Sequence, residues 1–203
     1  MSLKTDSRKD EIINACEKLY QTMSFKEITI KDISKETTFS RPSIYNYFQT
    51  KEEIFLALLK KEYDLWIEEL RREMDAHEFM SNHEIADVLA SSLNEHKQLL
   101  KILSMNHYDL EENSRMESLV EFKKSYGRAL KTILELLEKY RKDMDIKQRE
   151  KFVYSFFPFM FGIYPYAVVT QKQKLAMEKA NVIFTYISIY DLVYSMTKQL
   201  LED

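Results

Sequence analysis

The stretch at residues 40–53, Ser-Arg-Pro-Ser-Ile-Tyr-Asn-Tyr-Phe-Gln-Thr-Lys-Glu-Glu, decides how the rest of the chain is interpreted. It predicts a short helix over about 40–47, a break, and the start of a longer helix. Ser40 is placed to cap the short helix, and Pro42 fits its first turn, where a missing N–H leaves no hydrogen bond unmade. Thr50 and Glu53 have the spacing of a capping box, which predicts the start of the longer helix.

The short helix has two chemically different sides. Ile44 and Phe48 stand at positions i and i+4 and share an apolar side, which is expected to pack on the helices before it. Arg41 and Tyr45 share the same spacing on another side, where Asn46 lies beside them. This pattern predicts one side packed on its own domain and another side open to a partner.

Two more helices are predicted before this stretch. A single apolar stripe predicts helix 1 over about 6–22. Thr29 offers an N-cap for helix 2, with Asp32 three residues on, and this helix is expected to end near Glu36. Thr37-Thr38-Phe39 then forms a tight turn. Two short helices joined by a tight turn and braced by a preceding helix form the helix-turn-helix plan, whose last helix enters the major groove of DNA.

Residues 8–60 resemble the TetR family of bacterial transcriptional regulators. The matching residues are Ile13-Asn-Ala-Cys-Glu-Lys-Leu19-Tyr20, Phe25, Thr29-Ile-Lys-Asp-Ile33, Ser40, Ile44-Tyr45-Asn-Tyr47-Phe48 and Lys51-Glu52. The resemblance implies an all-helical homodimer that binds a palindromic double-stranded DNA operator. It also implies a larger C-terminal helical domain that holds a small effector, and a pairing of the last two helices with a second subunit. The family usually has Ala-Gly-Val where this chain has Thr37-Thr38-Phe39, so a β-branched residue stands where the family has a glycine.

The resemblance and the pattern together predict a set of DNA-contacting residues. They are Thr29, Ser40, Arg41, Pro42, Ser43, Tyr45, Asn46, Tyr47 and Lys51. Arg41 can bind a guanine edge or a phosphate, and the hydroxyl groups suit phosphate oxygens. Residues 1–50 carry 8 basic and 7 acidic side chains, so DNA contact must come from a few placed residues and not from a general positive field.

Composition predicts an all-α protein. The 203 residues include 2 glycines and 3 prolines, and such a shortage of helix breakers favours helices throughout. A single cysteine cannot form an internal disulfide, which favours a cytoplasmic setting. We expect a DNA-binding domain at 1–50, joined through a helix at about 50–74 to an effector-binding and dimerisation domain at 51–203. Further helices are expected at 82–109 (one or two), 114–142, 147–171 and 174–201.

Residues 152–169 contain no charged side chain, yet they include two prolines and a glycine. A buried helix is favoured over a membrane span, and no membrane partner is expected. The many aromatic residues on this helix could wall a pocket for a small apolar or aromatic effector. The candidate effector-binding residues are Phe122, Tyr126, Phe157, Met160, Phe161 and Tyr164. A place in the core or at a dimer interface is the alternative for each of them.

The last predicted helix has a wide apolar face, which a monomer would expose to water. A two-fold pairing with a second copy would bury this face in a four-helix seam. The candidate dimer residues are Phe159, Tyr166, Ile183, Tyr186, Ile189, Tyr190 and Val193.

The sequence offers no pattern for a catalytic residue, a metal site or a cofactor. His77, His83, His96 and His107 lack the i, i+4 spacing of paired metal ligands, and no glycine-rich phosphate loop is present. We therefore expect a ligand-responsive, sequence-specific DNA-binding regulator that acts as a repressor and is not an enzyme. The alternative is a helical effector-binding or interaction module whose helix-turn-helix is only a scaffold.

Overall fold

The computed structural model describes residues 2–202, with side chains described at 7–104 and 108–202. Over this range the chain forms ten helices and no strand, which confirms the prediction of an all-α protein. The helices are α1 (Ser2–Tyr20), α2 (Ile30–Lys35), α3 (Arg41–Ile44), α4 (Lys51–Ala76), α5 (Asn82–Glu95), α6 (Lys97–Glu112), α7 (Met116–Tyr140), α8 (Ile146–Ala167), α9 (Gln171–Lys179) and α10 (Ile189–Glu202).

Reciprocal side-chain caps set the starts of several helices. Complete capping boxes stand at Ser81 with Glu84 before α5, at Asp145 with Gln148 before α8, and at Thr170 with Gln173 before α9. Each box satisfies N–H groups that the first turn of a helix leaves without an internal acceptor.

The chain divides into two compact units. Unit 1 comprises Met1–Tyr63 and Asn106–Tyr126, and unit 2 comprises Asp64–Met105 and Gly127–Asp203. The division therefore falls inside α4, α6 and α7, and a segment from the middle of the chain joins the N-terminal helices in unit 1. The expected domain boundary at residue 50 stays a prediction from the sequence.

Unit 1 packs its short helices around the first half of α4. The ring of Phe55 makes edge-to-face contacts with the rings of Tyr20 and Phe25, whose centroids lie 5.0 and 4.9 Å away. Ile33 and Ile44 are fully buried beside this cluster of helices. Edge-to-face aromatic pairs contribute about 1 kcal/mol each beyond the area they bury, so these rings hold the end of α1 and the loop after it against α4.

Unit 2 has its core around Trp66 and the inner face of α8. The Trp66 ring meets Phe157 at 6.2 Å between centroids, and its indole N–H donates to the hydroxyl of Ser92 at 3.0 Å. Phe156 and Met160 are also fully buried. The uncharged run at 152–169 therefore supplies core side chains.

The described residues contain no single helix that is long and apolar enough to cross a membrane. Within the described range, one pair of helices, α8 and α9, meets that length and composition when taken together, and the two are bent by 78° at the break between them.

The prediction of one last helix over 174–201 is wrong, because α9 ends at Lys179 and α10 begins at Ile189. Asn181 takes a left-handed conformation with φ 53°, and the N–H of Val182 donates to the carbonyl of Met177 at 2.9 Å. This is the Schellman arrangement that ends helices. Ser188 then caps α10, accepting from the backbone N–H of Asp191 at 3.0 Å.

Candidate nucleic-acid interface

The predicted two-sided character of the short helix is confirmed. Ile44 is 0% exposed and Phe48 is 5% exposed, so these side chains anchor α3 and the turn after it in unit 1. Arg41 and Asn46 are exposed on the other side, together with Tyr45 at 42% exposure. One surface of this short segment is therefore open to a partner over its whole length.

Arg41 and Tyr45 form a pair on the open surface. The Nη2 of Arg41 donates to the Tyr45 hydroxyl at 3.2 Å, and the guanidinium lies 5.9 Å from the centre of the tyrosine ring. A guanidinium held over an aromatic ring loses less freedom on binding, and its remaining N–H groups can serve a guanine edge or a phosphate.

Ser40 differs from its predicted role. Its backbone occupies the N-cap position of α3, but its side chain makes no capping hydrogen bond. The Ser40 hydroxyl instead pairs with the hydroxyl of Ser43 at 2.8 Å. Pro42 stands in the first turn of α3 as predicted, and it is exposed.

Tyr47 lies half-buried between the open surface and the core. Its hydroxyl accepts a hydrogen bond from Nη1 of Arg8 at 3.2 Å, and its ring approaches that of Phe39 at 6.1 Å between centroids. The guanidinium of Arg8 also stands over the ring of Phe39 at 5.9 Å. Tyr47 therefore connects the short helix to α1 and the turn, a role that the local sequence does not reveal.

Thr29 caps α2 as predicted. Its hydroxyl oxygen accepts from the backbone N–H of Asp32 at 3.2 Å and its hydroxyl donates to Oδ2 of Asp32 at 2.6 Å. Lys35 donates to Oδ1 of Asp32 at 2.9 Å. The hydrogen bonds from Thr29 and then Lys35 lower the pKa of Asp32 to about 2.

Lys51 has an internal role that the sequence did not indicate. Its Nζ donates to the carbonyls of Phe25 at 2.6 Å and Ile28 at 3.1 Å, and it lies 4.2 Å from the centre of the Phe25 ring. These contacts hold the loop between α1 and α2 against the start of α4. Two of the three ammonium N–H groups are thus committed within the chain.

The turn at Thr37-Thr38-Phe39 forms without a left-handed residue. Asn181 is the only non-glycine residue with positive φ among those the structure describes. The Thr37 hydroxyl donates to the carbonyl of Ser34 at 3.2 Å and accepts from the N–H of Phe39 at 3.3 Å. Hydrogen bonds of the Thr37 side chain therefore stabilise a turn that does not need a glycine in a left-handed conformation.

The predicted capping box of Thr50 and Glu53 forms only in part. The N–H of Glu53 donates to the Thr50 hydroxyl oxygen at 3.2 Å, as expected. The Glu53 carboxylate, however, accepts from the N–H of Gln49 at 2.8 Å and from Arg115, which the sequence places 62 residues away.

The six candidate effector residues are divided between the units. In unit 1, Phe122 is buried, Tyr126 is half-buried, and both rings lie near Tyr63, at 6.1 and 5.9 Å between centroids. In unit 2, Phe157 and Met160 are buried in the core. Phe161 and Tyr164 are half-buried there, and burial raises the pKa of the Tyr164 hydroxyl.

The candidate dimer residues separate into an outer and an inner set. Tyr166, Ile183 and Tyr186 are exposed to 64%, 99% and 50%. Phe159 is half-buried. Tyr190 is half-buried as well, and its hydroxyl donates to the carboxylate of Asp87 on α5.

The predicted placement of Ile189 and Val193 at the dimer interface is corrected by their burial within their own chain. They are 3% and 0% exposed, because α10 packs on α5 and α8 of its own chain. The expected apolar face of the last helix is therefore largely used inside unit 2. The candidate dimer residues that are exposed lie instead on α8, at Tyr166, and on the irregular segment between α9 and α10, at Ile183 and Tyr186.

Over the described residues, no three His, Cys, Asp or Glu side chains are grouped as metal ligands would be. His83 contacts the Tyr194 hydroxyl and His96 contacts Glu69, each at 2.8 Å. His107 lies outside the residues whose side chains are described. Cys16 is buried in α1, and burial raises the pKa of its thiol well above the usual range.

Two family models match this chain. Residues 12–58 match "Bacterial regulatory proteins, tetR family", and residues 60–200 match "Tetracyclin repressor-like, C-terminal domain". The chain is also similar to the HTH-type transcriptional regulator EthR of Mycolicibacterium smegmatis, with 37% identity over 54 residues, which are 27% of this chain and 25% of that protein. The match thus spans about a quarter of this curated relative.

Solved structures extend the likeness over the whole chain at low identity. A Thermus thermophilus FadR, a TetR family transcriptional repressor in complex with lauroyl-CoA, has a TM-score of 0.60 at 18% identity, covering 96% of this chain and 93% of that one. RolR in complex with resorcinol has a TM-score of 0.54 at 14% identity, covering 99% and 96%. These likenesses establish the shared fold. With both family models matched in order along the chain, the resemblance is confirmed, and the protein belongs to the TetR family of bacterial regulatory proteins.

Proposed function

We propose that this protein is a transcriptional repressor that binds a palindromic DNA operator as a homodimer and releases it when a small apolar effector binds. The observation that carries the proposal is the exposed pair of Arg41 and Tyr45 on a short helix whose other side is buried. In the helix-turn-helix plan this is the helix that enters the major groove.

The DNA-facing residues divide by chemistry. Arg41 supplies the fork that suits a guanine edge, while the hydroxyl groups of Ser43 and Tyr45 suit phosphate oxygens. Thr29, Ser40, Pro42, Asn46, Tyr47 and Lys51 complete the proposed surface. Only Arg41 and Lys51 are cationic in this proposed surface, so few phosphates would be neutralised and the salt dependence of binding should be shallow.

The proposed effector is an apolar molecule held by α8 in unit 2. Phe157 and Met160 offer an aromatic and an adaptable thioether side chain, and Phe161 and Tyr164 lie half-buried on the same helix. Such residues suit an acyl chain or a small aromatic ring. The similar Thermus thermophilus FadR holds lauroyl-CoA and RolR holds resorcinol, so these two compounds represent the two chemistries to be tested.

The proposed homodimer uses the outer set of candidate residues, Tyr166, Ile183 and Tyr186. Burial of exposed apolar side chains against a two-fold-related copy would remove them from water. Two copies would also present two short helices to successive major grooves, which suits a palindrome.

The test of DNA binding is a titration of the full chain with double-stranded DNA from the region upstream of its own gene. Arg41→Ala and Tyr45→Ala should weaken binding, with Arg41→Ala costing about 1–3 kcal/mol if it reads a base. Arg72→Ala is the matched control, because Arg72 is an exposed arginine of unit 2. Equal affinities of the three variants would contradict the proposal and favour a helix-turn-helix that is only a scaffold.

The test of the effector adds lauroyl-CoA or resorcinol to the protein–DNA complex. Release of DNA by one compound and not the other would assign the effector to the acyl or the phenolic class. Persistence of the complex with both would contradict these two classes and leave the DNA-binding proposal intact.

A further inference from the structure

Arg115 makes an unusual set of contacts for a residue in a loop between two helices. It stands immediately before α7, and its Nε and Nη2 donate to Oε1 and Oε2 of Glu53 at 2.6 and 2.9 Å. Its backbone N–H also donates to Oε1 at 3.0 Å. The Glu53 side chain is 0% exposed, so a fully buried carboxylate is matched by a guanidinium fork.

The same loop reaches the connection between α3 and α4. The Nη2 of Arg115 donates to the backbone carbonyl of Tyr47 at 3.3 Å. Two residues earlier in the loop, the carbonyl of Asn113 accepts from the Thr50 hydroxyl at 3.0 Å. Residues 113–115 therefore touch the end of the short helical segment, the connection after it and the first turn of α4, all within unit 1.

The position of α3 depends on such contacts. A helix of four residues cannot hold itself in place, because nucleation of a single turn is unfavourable. Ile44 and Phe48 fix its buried side by apolar packing, and Arg115 adds a directional polar contact at the end of the segment. The carbonyl of Tyr47 lies at that end, where a cationic donor stabilises a helix terminus.

Electrostatics favour the contact. Burial would raise the pKa of the Glu53 carboxyl, but hydrogen bonds from Arg115 and from the N–H of Gln49 outweigh it and hold the pKa below its usual value. Glu53 is therefore charged at neutral pH and requires the guanidinium. A lysine could supply the charge, but it could not span both carboxylate oxygens and the Tyr47 carbonyl with a planar fork.

We propose that Arg115 is a positioning residue for DNA binding, which fixes the end of α3 relative to α4 without itself touching DNA. This inference rests on the proposed DNA-binding function. It assigns a part in operator affinity to a residue that lies outside the helix-turn-helix in the sequence.

Three variants of the full chain test it. Arg115→Met removes the fork at similar length, and Arg115→Lys keeps the charge alone. Arg141→Met is the matched control, because Arg141 donates from Nε and Nη2 to Asp143 at 2.9 and 2.7 Å and from Nη1 to the carbonyl of Leu201 at 2.6 Å, but in unit 2. DNA binding is measured at several salt concentrations and far below the unfolding temperature, so that only folded protein is compared.

Arg115→Met should weaken DNA binding about tenfold or more, a loss of at least about 1.4 kcal/mol. The slope of log Kd against log salt should stay as in the parent protein, because no phosphate contact is removed. The DNA affinity of Arg115→Lys should lie between those of the parent protein and Arg115→Met. Arg141→Met should bind DNA as tightly as the parent does. Parent-like binding by Arg115→Met, or a slope reduced by about one, would overturn the inference.

Amide hydrogen exchange separates this inference from the proposed function. If the parent protein binds no DNA, the proposed function fails, but the placement of α3 is still measurable. The N–H groups of Tyr47 and Phe48 donate to the carbonyl of Ile44 at 2.9 and 3.0 Å. They should exchange about tenfold faster in Arg115→Met than in Arg141→Met. Equal exchange rates in the two variants would overturn the positioning role.

Discussion

The carboxylate of Glu11 on α1 holds Thr38 at the centre of the turn between α2 and α3. A single oxygen, Oε1, accepts from the backbone N–H of Thr38 at 2.6 Å and from its hydroxyl at 2.8 Å. The backbone hydrogen bond, followed by the hydroxyl, lowers the pKa of the Glu11 carboxyl. A turn that lacks glycine is thus fixed by a side chain from 27 residues earlier in the chain.

Thr38→Val should therefore destabilise the protein. The substitution keeps the shape of the side chain but removes one hydrogen bond to a charged acceptor, at a cost of about 1 kcal/mol. Thr22→Val is a suitable control, because the Thr22 hydroxyl makes only a 3.5 Å contact with the carbonyl of Leu19. Urea unfolding of both variants measures the difference, and equal midpoints would show that the Glu11 contact adds nothing to stability.

Local patterns were sufficient to predict most of the helices and the two sides of α3. Apolar spacing and caps such as that of Thr29 act within one or two turns, so the sequence displays them directly. The contacts of Glu11 with Thr38 and of Arg115 with Glu53 could not be predicted in this way, since they join residues 27 and 62 positions apart. The periodicity of a local segment does not indicate which distant loop will contact which helix.

The break between α9 and α10 did have local signals, but the apolar spacing outweighed them in the prediction. Asn181 is one of the few residue types that accept a left-handed conformation, and Ser188 with Asp191 has the spacing of a cap. Apolar residues at helical spacing continue through this segment, and the periodicity alone therefore predicted one helix. Only the folded chain shows that two of the expected interface residues, Ile189 and Val193, are buried.

Asn181→Gly should stabilise the end of α9 or leave it unchanged, whereas Asn181→Ala should destabilise it. The φ angle of 53° carries no steric cost for glycine and costs about 1 kcal/mol for a residue with Cβ and no polar side chain. Thermal unfolding of the two variants tests this order. A more stable alanine variant would contradict the left-handed conformation at this position.

Gly127→Ala should stabilise the protein by about 0.5–1 kcal/mol, because glycine is a poor residue inside a helix. A Cβ at Gly127, which lies within α7, would meet nothing within 4 Å. Gly162 in α8 is equally open, and Gly162→Ala gives an independent repeat in a second helix. Gly127→Val should stabilise the protein less than Gly127→Ala does, because a β-branched side chain loses rotamer freedom in a helix. A loss of stability on Gly127→Ala would indicate a conformation or contact other than the one described.

Acid should destabilise the protein over the range from about pH 4 to pH 2. Hydrogen bonds lower the pKa values of Asp32 and Asp143 to about 2, with Thr29 the largest cause at Asp32 and Arg141 at Asp143. The unfolded chain has the ordinary value of about 3.9 and binds these protons first. The stabilisation is therefore complete at pH values above the pKa of these groups in the unfolded chain. It is lost as the pH falls through their pKa in the folded protein.

The urea midpoint measured from pH 5 down to pH 2.5 should fall, and a double variant Asp32→Asn, Asp143→Asn should show a shallower decline. A decline equally steep in the variant would mean that other carboxyl groups cause the acid sensitivity.

Ile183→Glu should convert the proposed dimer to monomers without harming the fold of the subunit. Ile183 is 99% exposed, so its replacement removes no packing within the chain. At a two-fold interface, however, each copy would bring a carboxylate into an apolar surface, and both would lose hydration without a partner. Phe79→Glu is the matched control, because Phe79 is 72% exposed in unit 2 and lies outside α8 and the segment before α10. Sedimentation should give a monomer for Ile183→Glu and a dimer for Phe79→Glu, with the same helical content in both. A dimer that survives Ile183→Glu would place the interface elsewhere, and a parent protein that sediments as a monomer would refute the proposed dimer itself.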